Sequence, residues 1–295
     1  MATGITDVLD INDNIGTIIA ESIIKFQRVN VMWSLMRNKP APKGSNSVIF
    51  PIITTPTKTD VAGLASGAEE TDAVITKLSS DGVTVEVLRY AVAVGISDLA
   101  NAGSTEDMIN IASNSVGNAL AQKFDNLSIA LASGFSTSIG DDTKNITLQM
   151  FFNAVQTLKA NNAPTYSNGK YAAVLHPKQI WGDYGISNFL TNLTATEKPE
   201  EMIGTGYVTS IAGVDIYWSS EVAIATNIAS GMIIGPEALA VGWKDMKGTG
   251  SFIDIEPKRN ALSASSTLVG NGYFAVKELM DTYGVELNTL VTAEA

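Results

Sequence analysis

The sequence predicts an α+β fold, and three features of its 295 residues carry that prediction. Residues 82–96 alternate apolar and polar side chains with the period of a β-strand. Residues 104–134 repeat apolar side chains at intervals of three and four, as a long helix does. Helical and strand patterns then alternate through the second half and end in long antiparallel strands over residues 250–287. This mixture is typical of α+β proteins.

Composition indicates a globular protein with a large core. Hydrophobic residues make up 45% of the chain and charged residues 17%, which is too apolar on average for a disordered protein. A chain of this length would form two domains or one elaborate domain. The formal net charge of -11 repels phosphate groups and therefore argues against tight, sequence-independent binding to DNA.

The chain contains no cysteine, which excludes disulfides, thiol nucleophiles and cysteine-ligated metals and fits a reducing cytoplasm. The first residues lack the basic and apolar regions of a signal peptide, so we expect none. No apolar run reaches the roughly 18 residues of a membrane-spanning helix. We therefore expect no membrane partner.

The N-terminal 45 residues predict a short amphipathic helix followed by an extended arm. Residues 14–27 place apolar side chains on one helical face: Ile15, Ile18, Ile19, Ile23 and Phe26. Pro40 and Pro42 favour extended backbone after it. Such an arm has little core of its own and needs another surface to cover it.

Residues 47–55 and 82–96 predict two strands, and the stretch 56–81 between them is rich in Thr, Gly, Ser and acidic residues. A connection of this length is unusual inside a compact domain. We therefore expect a protruding, flexible β-hairpin, with an ordinary surface loop as the alternative.

The longest predicted helix spans residues 104–134. Ser104 is a candidate N-cap, Glu106 and Asp107 suit the positive end of the helix dipole, and Gly134 can end the helix. Its apolar stripe consists of Ile109, Ala112, Val116, Leu120, Phe124, Leu127 and Leu131. At 1.5 Å per residue the helix would be roughly 43 Å long.

The second half predicts shorter elements. Thr147 can cap a helix, residues 171–176 read as a strand, and Pro177 suits the first position of the next helix. The first helix has the apolar face Leu148, Phe151, Phe152, Val155 and Leu158, and the second carries Ile180, Trp181 and Tyr184. Residues 204–225 predict a loop, a tight turn at Gly213 and a strand. Residues 230–243 predict a strand, a turn and a short helical or extended segment, and residues 250–287 predict long antiparallel strands around a Ser/Asn/Gly-rich loop.

His176 is the only histidine and therefore the first candidate for acid–base chemistry. A general base needs an orienting partner and a substrate pocket, and neighbouring Lys178, Asp183 and Tyr184 form no specific set. The favoured interpretation is that His176 closes a strand and leads into Pro177 and a helix.

Other catalytic or metal motifs are fragmentary. Ser22–Lys25 matches S-x-x-K, but Ser97-Asp98-Leu99 lacks the Asn of S-D-N, and residues 247–250 carry a glycine inside K-T-G. Asp10, Asn12, Asn14 and Glu21 fit part of a calcium loop, in which Ile15 replaces the required glycine. The sequons at Asn126, Asn145 and Asn192 matter only in a secreted protein. We therefore expect no catalytic, cofactor or metal site and no enzymatic activity.

Four stretches carry a family resemblance: YAAVLHPKQIWGDY (171–184), GYVTSIAGVDIYWSSEV (206–222), GMIIGPEALAVGW (231–243) and FAVKELMDTYGVEL (274–287). Together with the order of elements, from arm and long hairpin through long helix to α/β middle and long strands, they resemble the major capsid proteins of tailed bacteriophages, the Hong Kong 97 type. The match covers nearly the whole chain. No single stretch is diagnostic, and the joint order carries the specificity.

The resemblance implies a division of the chain. Residues 1–45 would be the N-arm and residues 46–97 the extended loop. Residues 98–145 and 250–282 would form a peripheral domain with a spine helix over 104–134. Residues 146–249 and 283–295 would form an axial domain.

The resemblance also implies where copies meet. The expected assembly contacts are, in the arm, Ile18, Ile23, Phe26 and Trp33; in the extended loop, Lys58, Glu69, Glu70, Asp72 and Lys77; and around a loop near threefold contacts, Asn260 and Asn271. Some relatives weld neighbouring subunits by a Lys–Asn isopeptide bond, for which Lys58 or Lys77 and Asn260 or Asn271 lie in suitable regions. Uncrosslinked subunits are the favoured expectation.

The implied function is a major capsid protein that forms pentamers and hexamers of an icosahedral shell around double-stranded DNA. The shell would belong to a virion and assemble in the host cytoplasm. Implied partners are other copies of the chain, a separate scaffolding protein, a portal and a cement or decoration protein, with DNA held without specific binding. The alternatives are an encapsulin-like nanocompartment, another phage structural protein such as a tail component, and a hydrolase with an unrecognised site.

Overall fold

The computed structural model describes residues 30–53, 80–98, 108–140, 143–186, 207–248 and 250–291. The helices are α1 (Met32–Leu35), α2 (Met108–Ala130), α3 (Leu148–Ala160) and α4 (Pro177–Trp181), with single 3₁₀ turns at Leu131–Gly134 and Asp281–Tyr283. The strands are β1 (Arg37–Pro40), β2 (Ser47–Ile53), β3 (Ser80–Glu86), β4 (Leu88–Ser97), β5 (Ser138–Gly140), β6 (Tyr171–Leu175), β7 (Tyr207–Ile211), β8 (Val214–Trp218), β9 (Ile224–Ala225), β10 (Ile228–Ile234), β11 (Leu239–Trp243), β12 (Ile253–Asn260), β13 (Ser265–Glu278) and β14 (Gly284–Leu290).

The first sheet is built around the long strand β13. Strand β4 pairs antiparallel with β13 from Ser97–Ser265 to Leu88–Phe274. Strands β12 and β11 pair antiparallel with successive parts of β13, and β1 adds a parallel edge to β11. One strand of 14 residues thus pairs with three others, of which β4 lies far away in the chain.

The long helix α2 lies close against this sheet because β13 has glycines beneath it. A Cβ atom at Gly270 would lie 2.2 Å from Cγ1 of Val116, and one at Gly272 would lie 3.3 Å from Cδ2 of Leu120. Phe124 and Phe274 complete the contact with ring centroids 5.2 Å apart. The 23 helical residues span roughly 35 Å. The predicted helix ended at Gly134, and its last four residues form the 3₁₀ turn instead.

The second sheet has the order β5–β14–β10–β6–β8–β7, with β9 added to β10. All five residues of β6 are buried, because the sheet is covered on both faces. Ala172 and Val174 join the core that contains α2, and Ala173 and Leu175 join a second core beneath α3. A strand buried on both faces reads as an unbroken apolar run, which is how YAAVL appears in the sequence.

The single strand predicted over residues 82–96 is two strands. Strand β3 pairs with β2, whereas β4 pairs with β13, and Val87 lies between them. The amide of Val87 donates to the carbonyl of Asn46 at 2.8 Å, which fixes the change of direction. The sequence does not reveal this break, because apolar and polar side chains keep alternating where the pairing partner changes.

Two further predictions needed correction. In α3 the buried side chains are Met150, Phe151, Ala154, Val155 and Leu158. Leu148 and Phe152, assigned to the apolar face, are exposed, so that face is rotated. The loop expected between Asn260 and Asn271 is a turn over 261–264, and residues up to Asn271 continue β13.

The loop predicted before Gly213 is strand β7, and α4 ends at Trp181, before Tyr184. Other features agree with the sequence prediction. The turn between β7 and β8 has positive φ angles of 53° at Ala212 and 79° at Gly213, as two-residue hairpin turns require. The segment after β10 is extended as β11, one of the two predicted options. The amphipathic helix expected at 14–27, the Ser104 cap and the candidate calcium loop lie outside the described residues.

Candidate assembly surface

The hairpin formed by β2 and β3 is anchored to the first sheet by one apolar face. Val48, Phe50 and Val85 are buried against Ala240, Ala275 and Leu279. Lysine side chains of the sheet region hold the hairpin backbone: Lys39 donates to the carbonyl of Ile49 at 2.9 Å, and Lys277 to that of Thr84 at 3.2 Å. The root of the hairpin is therefore a rigid part of the subunit.

The opposite face of the hairpin remains uncovered within the described part of the chain. Ile49 is 56% exposed and Ile53 is 60% exposed, although Ile49 lies between buried Val48 and Phe50 and Ile53 follows the partly buried Ile52. A β-hairpin with apolar side chains on both faces is typical of a segment that packs between two surfaces. The sequence analysis did not single out Ile49 and Ile53, although the apolar run SVIFPII was the available signal.

Eight of the predicted assembly contacts lie outside the described residues. Lys58, Glu69, Glu70, Asp72 and Lys77 lie outside the described residues, as do Ile18, Ile23 and Phe26 of the arm. Their role as assembly contacts stays a prediction.

Trp33 lies near the start of the described residues and packs against side chains of the same chain. Its ring stacks on Phe252 with centroids 4.6 Å apart and meets Phe124 at 5.5 Å and Trp243 at 6.5 Å. The residue is only half-buried, so one side of the ring faces outward. Trp33 thus anchors the start of the described chain to α2 and the first sheet.

The turn between β12 and β13 projects an apolar side chain into solvent. Leu262 is fully exposed. Its backbone amide donates a hydrogen bond to Oδ1 of Asn260 at 3.2 Å. Arg259 forms a two-pronged ion pair with Asp98 at the end of β4, and this pairing lowers the pKa of Asp98. The ion pair stiffens the base of the turn.

Asn271 lies apart from that turn. It is 3% exposed, and its Oδ1 atom accepts a hydrogen bond from Nε of Arg89 at 2.8 Å. Asn260 pairs with Ser265 and Asn271 with Asp254, so six positions of β13 separate the two asparagines, or roughly 20 Å. The two asparagines are alternative candidates for a bond with a lysine of another copy, and of the two only Asn260 is exposed.

An exposed aromatic pair marks one end of the second sheet. Trp181 ends α4 and Trp218 ends β8, and their ring centroids are 6.5 Å apart. Both side chains are substantially exposed, Trp181 to 51% and Trp218 to 37%. Large exposed aromatic side chains are common at protein interfaces, so this pair is a second candidate contact.

His176 acts as the N-cap of α4. Its Nδ1 atom accepts a hydrogen bond from the amide of Lys178 at 3.0 Å, and Oε1 of Gln179 accepts one from the amide of His176 at 2.9 Å. This reciprocal pair is a capping box. Burial and the nearby Lys178 lower the pKa of His176, which keeps the accepting nitrogen free of a proton. The corner role expected from the sequence matches this geometry.

The fragments of the S-x-x-K, S-D-N and K-T-G motifs lie apart from one another. Asp98 is engaged by Arg259 at one end of the β12–β13 pair, and Lys247 pairs with Asp254 at 2.6 Å near the other end. Ser97 pairs with Ser265 of β13, whereas Asp254 pairs with Asn271, six positions farther along the same strand. The Ser22–Lys25 stretch lies outside the described residues.

Among the residues that the structure describes, no group of three or more His, Asp or Glu side chains is arranged to hold a metal ion. No helix in the same part of the chain is long and apolar enough to cross a membrane.

Comparison with solved structures identifies the fold. The chain superposes on the capsid of Ralstonia phage GP4 with a TM-score of 0.66 at 12% identity, covering 88% of each chain. It superposes on the capsid of cyanophage P-SCSP1u with a TM-score of 0.63 at 18% identity, again covering 88% of each. A holo-SrpI encapsulin complex from Synechococcus elongatus PCC 7942 gives a TM-score of 0.63 at 11% identity, covering 90% of this chain and 89% of that one.

No protein-family model and no curated protein sequence matches the chain. The structural likeness nevertheless confirms the predicted α+β, Hong Kong 97-like fold. The division into arm, extended loop, peripheral domain and axial domain stays a prediction.

Proposed function

We propose that this chain is a major capsid protein whose copies form the pentamers and hexamers of an icosahedral shell around double-stranded DNA. The observation that carries the proposal is a fold shared with phage capsids over 88% of both chains. The hairpin with apolar side chains on both faces supports it, because the described part of the chain covers only one of those faces.

In this proposal the exposed elements reach neighbouring copies. The arm, the extended loop with Ile49 and Ile53, and the β12–β13 turn with Leu262 each cover part of another subunit. Contacts between unlike surfaces repeat around an axis and close into rings. Interlocked segments of this kind give large interfaces, which exceed about 2,000 Å² in obligate assemblies. The conformations of these segments therefore set the curvature of the shell.

The proposed partners follow from a container role. The net charge of -11 suits a protein shell that encloses DNA without binding it tightly. A scaffolding protein would guide assembly, a portal would occupy one vertex, and a cement or decoration protein would bind the outside. The shell would assemble in the host cytoplasm and end in the virion. The role is structural, and His176 serves as a helix cap in it.

An encapsulin-like nanocompartment is the second candidate. The likeness to the SrpI encapsulin complex is as good, by TM-score, as the likeness to the cyanophage capsid. The two candidates share the shell and differ in contents, since one encloses DNA and the other encloses protein.

The decisive test is electron microscopy of negatively stained protein with light-scattering mass, on the full chain expressed alone and with a candidate scaffolding protein. We expect closed polyhedral shells of many megadaltons. A monodisperse monomer or dimer under every condition would contradict the proposal. Nuclease-protected DNA in native particles would favour the capsid, and co-purifying folded enzyme without DNA would favour the nanocompartment.

A further inference from the structure

Asp125 lies in the C-terminal part of α2, where the first described residues of the chain pack against the helix. Its carboxylate accepts two backbone hydrogen bonds, from the amide of Val31 to Oδ2 at 3.3 Å and from the amide of Met32 to Oδ1 at 3.2 Å. Both amides lie at the start of α1, and Asp125 is only 4% exposed. One buried carboxyl group therefore ties the root of the N-terminal segment to the long helix.

No described cation neutralises this carboxyl group. The stretch 30–36 contributes amides and carries no charged side chain, and Lys123 on α2 is exposed to solvent. Glu221, in the connection between β8 and β9, is the charged side chain of the described residues that acts on Asp125, and it is a second acid. Glu221 also lines a cavity of about 210 Å³ together with Asn126 and Ile129, which flank Asp125 along α2.

The surroundings oppose ionisation. Burial raises the pKa of Asp125 to about 7, and Glu221 adds to this shift, while the two backbone amides work against it. Below that pH the carboxyl group is neutral and its burial is tolerated. Above that pH the tether requires a buried anion beside a second carboxylate, which is costly.

We propose that Asp125 is a proton-controlled latch for the N-terminal segment. In the protonated form it holds Val31 and Met32 against α2, and loss of the proton favours release of residues 30–36 from the helix. The latch is a property of the single subunit, so it goes beyond the proposed shell function and does not depend on it. In a shell it would make the freedom of the arm depend on pH.

The direction of the pH effect follows from linkage. In the released state Asp125 is hydrated and returns to its ordinary pKa of 3.8, whereas in the closed state the pKa is about 7. The released state therefore loses its proton first as pH rises. Release becomes easier between about pH 4 and pH 7, by up to about tenfold per pH unit, and changes little above that range.

Hydrogen exchange with mass spectrometry on the full-length protein tests the latch. The readout is the protection of a peptide covering residues 30–36 from about pH 5 to pH 8, after correction for intrinsic exchange rates. We expect protection to fall by up to about tenfold per pH unit up to about pH 7 and then to level off. The matched reference is the peptide of β6, whose protection follows global unfolding.

Two variants make the test specific. Asp125→Asn keeps an accepting oxygen without a titratable group, so protection of residues 30–36 should become independent of pH. Glu221→Gln removes the neighbouring acid and should move the levelling-off point to lower pH. A flat wild-type profile, or a wild-type slope that persists in Asp125→Asn, would overturn the latch. If Asp125→Asn fails to fold, the latch is overturned instead when protection in Glu221→Gln levels off at the same pH as in the wild type.

Discussion

His176 closes the corner between β6 and α4 by accepting a hydrogen bond from the amide of Lys178 at 3.0 Å. Replacing it with alanine removes this acceptor, and the loss of an N-cap costs about 1 kcal/mol of unfolding free energy. Asparagine at the same position supplies a side-chain oxygen that can accept the bond, so His176→Asn should lose less. Denaturant unfolding of both variants measures the difference. Equal stability of His176→Ala and the wild type would contradict the capping role.

The contribution of His176 to the free energy of unfolding should depend on pH in a defined direction. Burial and Lys178 lower the pKa of His176, so the folded state binds a proton less readily than the unfolded state does. The unfolded histidine titrates near about pH 6.5. The stabilising contribution is therefore complete above that value and is lost as the pH falls below it. The difference in unfolding free energy between wild type and His176→Asn should shrink or change sign on acidification. A difference that is constant from about pH 8 to pH 5 would exclude this linkage.

Gly270 is required by the close approach of α2 to β13. In Gly270→Ala the new Cβ atom would lie 2.2 Å from Cγ1 of Val116, a distance that forces a shift of the helix or sheet. We expect a loss of about 1–3 kcal/mol, which is the usual cost of overpacking a core. Gly95→Ala is the matched control in the same sheet, because its nearest neighbour would be Oγ1 of Thr267 at 4.0 Å. Thermal unfolding compares the two, and Val116→Ala should partly rescue Gly270→Ala. Equal effects of the two glycine variants would argue against the contact.

At the scale of elements, the two faces of the β2–β3 hairpin should separate folding from assembly. Phe50 is buried against the first sheet, so Phe50→Ala should destabilise the subunit by about 3–5 kcal/mol. Ile49 and Ile53 point away from that contact. The double variant Ile49→Asn/Ile53→Asn should therefore keep the unfolding temperature of the subunit within a few degrees and lose closed particles.

The matched control for the hairpin is Met246→Asn, another exposed apolar side chain outside the hairpin. Particle yield by electron microscopy and subunit stability by denaturant unfolding are the two measurements. The interpretation fails if the double variant assembles like the wild type, or if it loses the fold of the isolated subunit.

At the scale of the whole molecule, the structure bears on covalent crosslinking. Asn271 is buried and hydrogen-bonded to Arg89, so of the two candidate asparagines only Asn260 is accessible to a lysine of another copy. Uncrosslinked subunits are the favoured expectation, and the burial of Asn271 removes one route to a bond. We expect particles boiled in detergent to release single subunits of 31.1 kDa. Denaturing electrophoresis and intact mass measure this directly. A ladder of covalent oligomers, each step lighter by one ammonia per bond, would show that an isopeptide bond forms. Lys58→Ala and Lys77→Ala, made separately, would then identify its donor.

Much of the element order was readable from the sequence. The stripe from Ala112 to Leu131, the buried run YAAVL and the turn at Gly213 each follow from local periodicity or from backbone preference. The same is true of His176, because a histidine before a proline suits a helix N-terminus. The break at Val87 was not readable, because alternation continues unchanged when a strand leaves one partner for another.

The candidate contacts were harder to predict for a related reason. Exposure depends on what a fold places above a side chain, and Ile49 has the same chemistry as its buried neighbours. The same dependence on the fold explains two other differences from the prediction. Phe152 of α3 is exposed, and Asn271 is buried. Sequence periodicity identifies a face but does not determine which surface covers it.

The sequence by itself determined the α+β class, the long helix, most strand positions, the role of His176 and the acidic, cysteine-free character of the chain. These are local properties, or sums over residues, which depend little on distant contacts. Only the tertiary structure decided that β13 pairs with the distant strand β4 and that Trp33 and Asp125 tie the residues before β1 to α2. It also decided that one apolar face of the β2–β3 hairpin is left uncovered by the described part of the chain. Those properties come from contacts between residues far apart in the chain, where no local pattern records which surfaces will meet.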